Sequence, residues 1–216
     1  MANNNSPFGL KPYKGASGVP FNFELIPATI AYNDTQAIYR GDPVQKLTTG
    51  FISQWDAGVA VSQLAGIFWG VEYLSTAQAK MVSAAYWPGS DVASTAQDSI
   101  VAKIIPCTGA PGALFVAQSD ATGVAFANIG ENIDVALGTG STTTGWSGAY
   151  LNVGTLAVTA TLPFRIERLY GGSIGAGGEG GIQPGSTGPY SGSATGAYNW
   201  VIVRANVSGA GATGLA

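Results

Sequence analysis

No histidine occurs anywhere in the 216 residues. Serine–histidine–aspartate and cysteine–histidine catalysis, and histidine-ligated zinc, each need an imidazole as base or ligand, so all three are excluded. A single cysteine, Cys107, rules out an intramolecular disulfide and any CxxC motif. Its neighbours Ile104, Ile105 and Pro106 are apolar, which predicts a buried, inert thiol. Charge is scarce too: 10% of residues are charged, against about 25% in an average protein. The net charge is −3, and the nine basic residues are scattered singly from Lys11 to Arg204. With no basic stripe along the chain to follow phosphates, direct nucleic-acid binding is not expected. So little charge gives a poor solvated surface, and it suits a protein partly covered by partners.

Long apolar runs are also missing. The uncharged stretches 57–71 and 135–164 are interrupted by Gly, Ser, Thr, Asn and Gln well before 18 apolar residues accumulate, so no transmembrane helix is expected. The opening Met-Ala-Asn-Asn-Asn has neither a basic nor an apolar leader region, and Ala2 stands where myristoylation needs glycine. Synthesis and retention in the cytoplasm of the producing cell are the expectation.

What is present reads as strand. Residues 66–74, Gly-Ile-Phe-Trp-Gly-Val-Glu-Tyr-Leu, alternate so that Ile67, Trp69, Val71 and Tyr73 share one face, and Phe68, Gly70, Glu72 and Leu74 the other. Both faces are largely apolar, which predicts a central strand with a core on one side and a neighbouring layer or subunit on the other. Shorter strands punctuated by glycine surround it. The fold expected is all-β: a single barrel or sandwich domain of short antiparallel strands, with at most one or two helical turns, an extended N-terminal arm and a Gly-rich insert.

Along the chain, residues 1–20 carry too many Asn, Gly and Pro to build a core element and read as a free or partner-bound arm. The β domain spans 21–207 and opens on a strand over 21–26, with Phe21, Phe23 and Leu25 inward. Gly41, Asp42 and Pro43 should reverse or bend the chain between two short strands, and 75–80 should be a hairpin loop. Residues 99–105 and 114–118 read as a hairpin. A helical turn is expected within 120–132, with Asp120 as cap and Gly130 as stop. Residues 156–170 read as a long strand bulged or edged at Pro163. The insert 171–197 has eleven glycines in 27 residues and no apolar period. A last strand follows, then a tail over 208–216.

Sites for chemistry are sparse. Residues 175–180 satisfy G-x-G-x-x-G, but the Gly/Pro/Ser run after them cannot start the helix a phosphate would need. Residues 140–147 have P-loop spacing with Trp146 where the lysine must stand. Glu72 with Glu167, or Glu131 with Asp134, would be the pairs for glycoside hydrolysis, yet twelve scattered acids always offer such pairs. Trp69, Trp87, Trp146 and Trp200 would serve a sugar platform or, more commonly in β proteins, a core or interface. No enzymatic activity, cofactor or metal is expected.

Several stretches, taken in order, resemble the head decoration, or cement, proteins of tailed bacteriophages. They are Ala-Asn-Asn-Asn-Ser-Pro-Phe-Gly-Leu-Lys-Pro at 2–12, Tyr-Arg-Gly-Asp-Pro-Val at 39–44, Gly-Ile-Phe-Trp-Gly-Val-Glu-Tyr at 66–73, Tyr-Trp-Pro-Gly at 86–89, Leu-Phe-Val-Ala-Gln at 114–118 and Val-Ile-Val-Arg-Ala-Asn at 201–206. The insert 171–197 departs from that pattern. The resemblance implies a virion protein on the capsid exterior that staples neighbouring major capsid proteins. Low charge implies a homo-oligomer, and analogy makes it a trimer, with a dimer as alternative. The arm and the insert are the expected gripping parts, disordered alone, with contacts through Phe8, Leu10, Tyr13, Trp69, Trp87, Ile182 and Tyr190. Deleting 2–12 should then leave fold and melting temperature nearly unchanged. The competing reading is a carbohydrate-binding or adhesin module of a phage tail or fibre, which exposure of Trp69 and Trp87 would favour.

Overall fold

The computed structural model describes residues 4–15, 24–107, 113–170 and 197–206. The expected insert lies almost wholly outside these residues, as do the tail and the aromatic residues Phe21 and Phe23. Among the described residues fourteen strands follow one another: β1 (Lys11–Gly15), β2 (Ile26–Ala28), β3 (Ile38–Tyr39), β4 (Pro43–Lys46), β5 (Ile52–Gln54), β6 (Leu64–Ser75), β7 (Lys80–Ala84), β8 (Tyr86–Trp87), β9 (Val101–Pro106), β10 (Ala113–Gln118), β11 (Asn132–Ala136), β12 (Tyr150–Ala157), β13 (Phe164–Leu169) and β14 (Trp200–Ala205). They form an all-β sandwich. The first sheet runs β1-β10-β14-β13-β11-β12; the second runs β2-β9-β6-β4-β5 with β7 added beside β6, and β3 pairs with β8 alone. Helix is limited, among the described residues, to 3-10 segments at Val61–Gln63, Ser94–Ser99 and Phe126–Asn128. None is long and apolar enough to cross a membrane.

Strand β6 is the central element its two apolar faces require, hydrogen-bonded between β9 and β4. Its faces do not follow simple alternation. Ile67 and Trp69 join the core between the two sheets, while Phe68, Val71 and Tyr73 face a second core. The cause is a bulge: Phe68 opposes Ile104 and Gly70 opposes Lys103, so Trp69 has no opposite residue and the side-chain parity inverts. A Cβ on Gly70 would stand 3.1 Å from the Ala84 carbonyl oxygen. The second core is closed by the chain itself, through Ile30, Ile38, Trp87, Val92 and Ile100. It covers Phe68, Val71 and Tyr73, while Leu74 at the end of β6 stays exposed.

The turn at Gly41–Asp42 and the β6–β7 hairpin stand as expected. Three other expectations are corrected. Strands β9 and β10 do not form a hairpin; β9 pairs with β2 and β6 in one sheet, β10 with β1 and β14 in the other. Crossing between sheets gives each strand two partners. Residues 156–170 are two strands, β12 and β13, separated in space by β11, and Pro163 lies in the connection. The helical turn at 126–128 is preceded by Ala125, whereas the Asp120 carboxylate accepts the Thr122 N–H in a turn of its own. Of the first expected strand, residues 21–23 lie outside the described residues, while Leu25 packs against the main core as expected and Ile26–Ala28 pairs with β9.

The N-terminal arm is corrected most. Residues 4–15 belong to the sandwich. The Gln118 side chain, fully buried, accepts the Ser6 N–H at 2.9 Å and donates to the Asn4 carbonyl at 2.7 Å, standing in for a strand. The Gly9 N–H donates to the Ala149 carbonyl, and the Leu10 N–H to the Gly41 carbonyl. Gly9 has φ +72°, and a Cβ there would lie 2.6 Å from the Gly41 oxygen, so glycine is required at this crossing. Leu10 is 0% exposed, and β1 then adds an edge to the first sheet.

Candidate interaction surface

Strand register assembles on the outer face of the first sheet what the sequence scatters. One cross-strand row reads Lys11, Val116, Ile202, Arg168 over β1, β10, β14 and β13. The row beside it reads Lys14, Leu114, Arg204, Arg165. Apolar residues thus lie between cations in the first row, and the second sets Arg204 directly opposite Arg165. Like charges facing across a ladder are unfavourable. The Glu167 carboxylate lies 2.8 Å from the Arg204 guanidinium, off the hydrogen-bonding direction, and is the only acid that offsets them among the described residues.

Aromatic rings fill the middle. Tyr13 and Tyr170 meet edge-on at 5.7 Å, Tyr170 lies 5.3 Å from Trp200, and Trp200 meets Phe8 edge-on at 4.9 Å. The Lys11 ammonium is 4.4 Å from both Phe8 and Trp146, and Arg40 lies 5.3 Å from Trp69 and 5.6 Å from Trp146. Arg168 and Lys14 sit over Tyr13. A continuous belt of cation–π and ring contacts therefore runs from Arg168 to Trp69. Burial without a carboxylate partner holds the Lys11 pKa below the usual lysine value. The Trp200 indole N–H is buried with no acceptor among the described residues.

Of the residues singled out from sequence, Phe8, Tyr13 and Trp69 lie in this belt. Leu10 and Trp87 are corrected to core positions: both are 0% exposed, and the Trp87 indole donates to the Asp34 carbonyl at 3.1 Å. Ile182 and Tyr190 lie outside the described residues. Trp146 and Trp200, singled out with them as platform or interface tryptophans, lie in it too. Missed were Lys11, Arg40, Arg168 and Tyr170, which are far apart in sequence and meet only through strand pairing. The P-loop-like segment is a tight turn closed by the Gly145 N–H on the Ser141 carbonyl, and it delivers Trp146 to the belt.

Acids elsewhere are engaged structurally. Glu72 is bridged to Lys103, Glu131 accepts from Asn128, and Asp134 accepts the Trp55 indole N–H at 3.2 Å. A groove of about 380 Å³ beside Asn5, Tyr150 and Tyr198 contains Asp120, whose two oxygens accept the Thr122 and Val153 N–H groups. The described residues hold no cluster fit for a metal. Cys107 is buried, and burial pushes its thiol up to about 12. The native protein should leave a disulfide reagent such as dithiobisnitrobenzoate unreacted at neutral pH, and react fully in guanidinium. Native labelling at the rate of free cysteine would contradict this burial.

No protein-family model, curated protein or solved structure matches the chain.

Proposed function

We propose that the protein is a non-enzymatic virion component that binds the outside of a bacteriophage capsid and cements neighbouring major capsid proteins. The observation that carries this reading beyond the resemblance is the cationic, aromatic face. Its centre is the buried cluster of Phe8, Val116 and Ile202, and around it Tyr13, Leu114, Tyr170 and Trp200 are partly exposed beside the cations, a mixture of the kind protein partners cover. The engaged acids and the missing imidazole support a structural role. The adhesin alternative loses one of its two motivating residues, since Trp87 is in the core, and Trp69 is edge-on against Trp146 with Arg40 nearby.

The test is to add purified protein to expanded capsids of a phage that encodes it, assembled without it. Decoration at regular lattice positions, with greater survival of the particles on heating, is the expected result. Failure to bind, together with binding to a glycan array, would replace this reading with the adhesin. Oligomerisation, as a trimer or else a dimer, belongs to the same proposal. A native mass of one chain, both free and on the particle, would refute that part.

A further inference from the structure

We propose that the outer face of the first sheet is the gripping surface, and that its occupant is a carboxylate-rich segment of the capsid protein; this rests on the capsid reading. Charge complementarity is the argument. Among the described residues, Lys11, Lys14, Arg165 and Arg168 on this face have no carboxylate oxygen within 4.0 Å. In a chain of net charge −3, this face therefore stands out in sign from the molecule that bears it. The segment 24–107, which builds the other sheet, has the opposite bias, with seven acids against four bases. The Arg165–Arg204 juxtaposition, only partly offset by Glu167, is an arrangement that an incoming carboxylate would relieve.

Edge protection accounts for part of the pattern and leaves the rest. Lys11, Pro12 and Lys14, with the register shift between Pro12 and Lys14, guard β1 against stray strand pairing. Arg165 and Arg168, on β13, lie off that edge. A single-stranded nucleic acid would need rings laid open for stacking, whereas Phe8, Tyr13 and Trp200 pack edge-on or tilted against their neighbours. An apolar centre rimmed by arginine and lysine matches a protein interface.

The full-length chain tests this with Arg165→Glu/Arg168→Glu, and with Lys14→Glu alone as a milder change at an exposed position. The control is Lys46→Glu/Lys80→Glu on the second sheet, where both lysines are exposed. Circular dichroism and melting establish that each variant folds; if the double variant does not, Lys14→Glu carries the test. Binding is read on undecorated capsids and, by tryptophan fluorescence, on a glutamate-rich decapeptide, each across a salt series. The expected result is salt-sensitive binding to both, weakened about tenfold or more by reversal on the first sheet and less than about twofold by the control. If the face variants decorate capsids as tightly as the parent, the gripping face is elsewhere and the proposal falls, while the capsid reading survives. If the parent binds the peptide but no capsid, the capsid reading and the named occupant fall. Binding of neither probe, or tighter binding of a single-stranded DNA oligomer than of the peptide, also overturns the proposal.

Discussion

Removing residues 4–12 is expected to cripple the fold itself. Those residues supply Leu10 to the main core, Phe8 to the outer face and the backbone groups that satisfy the buried Gln118 side chain. Truncating one fully buried leucine typically costs about 3 kcal/mol or more, and a domain of this kind has roughly 5–15 kcal/mol in all. Leu10→Ala alone should therefore lower the urea midpoint clearly, and the deletion should leave a chain that is largely unfolded or melts far lower. At about 2–4 °C per kcal/mol for a chain of this length, Leu10→Ala should shift melting by roughly 6–12 °C. A truncated chain that melts within about 2 °C of the parent would restore the free arm expected from sequence.

Asp42→Ala is expected to be comparably severe. The Asp42 carboxylate, 1% exposed, accepts from the Ser147 hydroxyl, the Tyr39 N–H at 2.8 Å and the Gln54 amide at 3.0 Å. It thereby ties the 39–42 turn and β5 to the loop that delivers Trp146. Alanine would strand three donors, a loss of about 3 kcal/mol or more, read as a lower denaturant midpoint. Asp42→Asn should cost less, since an amide keeps an acceptor for Tyr39 and Gln54 and reverses the Ser147 bond. The pH dependence has a definite sign. Burial, the largest influence, raises the folded pKa above the ordinary 3.8, outweighing the three hydrogen bonds that lower it. The native state then holds its proton more tightly than the unfolded chain, so this group's contribution falls as pH rises from about 3.8 to the folded value, and is flat above. Asp42→Asn should remove that acid-side increment. An Asp42→Ala protein within about 1 kcal/mol of the parent would refute the clasp.

How much of this was legible follows the range of each signal. The two-faced strand at 66–74, the turn at Gly41–Asp42 and the 75–80 hairpin loop rest on neighbours in sequence, and they stand. The parity inversion at Trp69 did not show, because a bulge is decided by the register of β9 and not by β6's own residues. The arm was misread for a related reason. Its Asn, Gly and Pro do bar local structure, but Gln118, Ala149 and Gly41 lie far along the chain and provide the pairing that local residues cannot. The basic residues look scattered until register aligns Lys11 with Val116, Ile202 and Arg168.

The placement of β1 has a consequence for the order of events at the ribosome. The second sheet is built wholly from residues 26–106, so it can assemble as it emerges. The first sheet cannot: its earliest strand pairs with β10, which itself needs β14 at 200–205. At roughly 5–20 residues per second, the first strand made must wait on the order of 10–40 s for its sheet to be completed. Throughout that interval Phe8 and Leu10 are without their core, on a nascent chain whose closing contacts span more than a hundred residues, such as Ser6 with Gln118. Slow, late closure of this kind is the expected behaviour of a long-range β topology. It makes residues 4–10 the last to find their place.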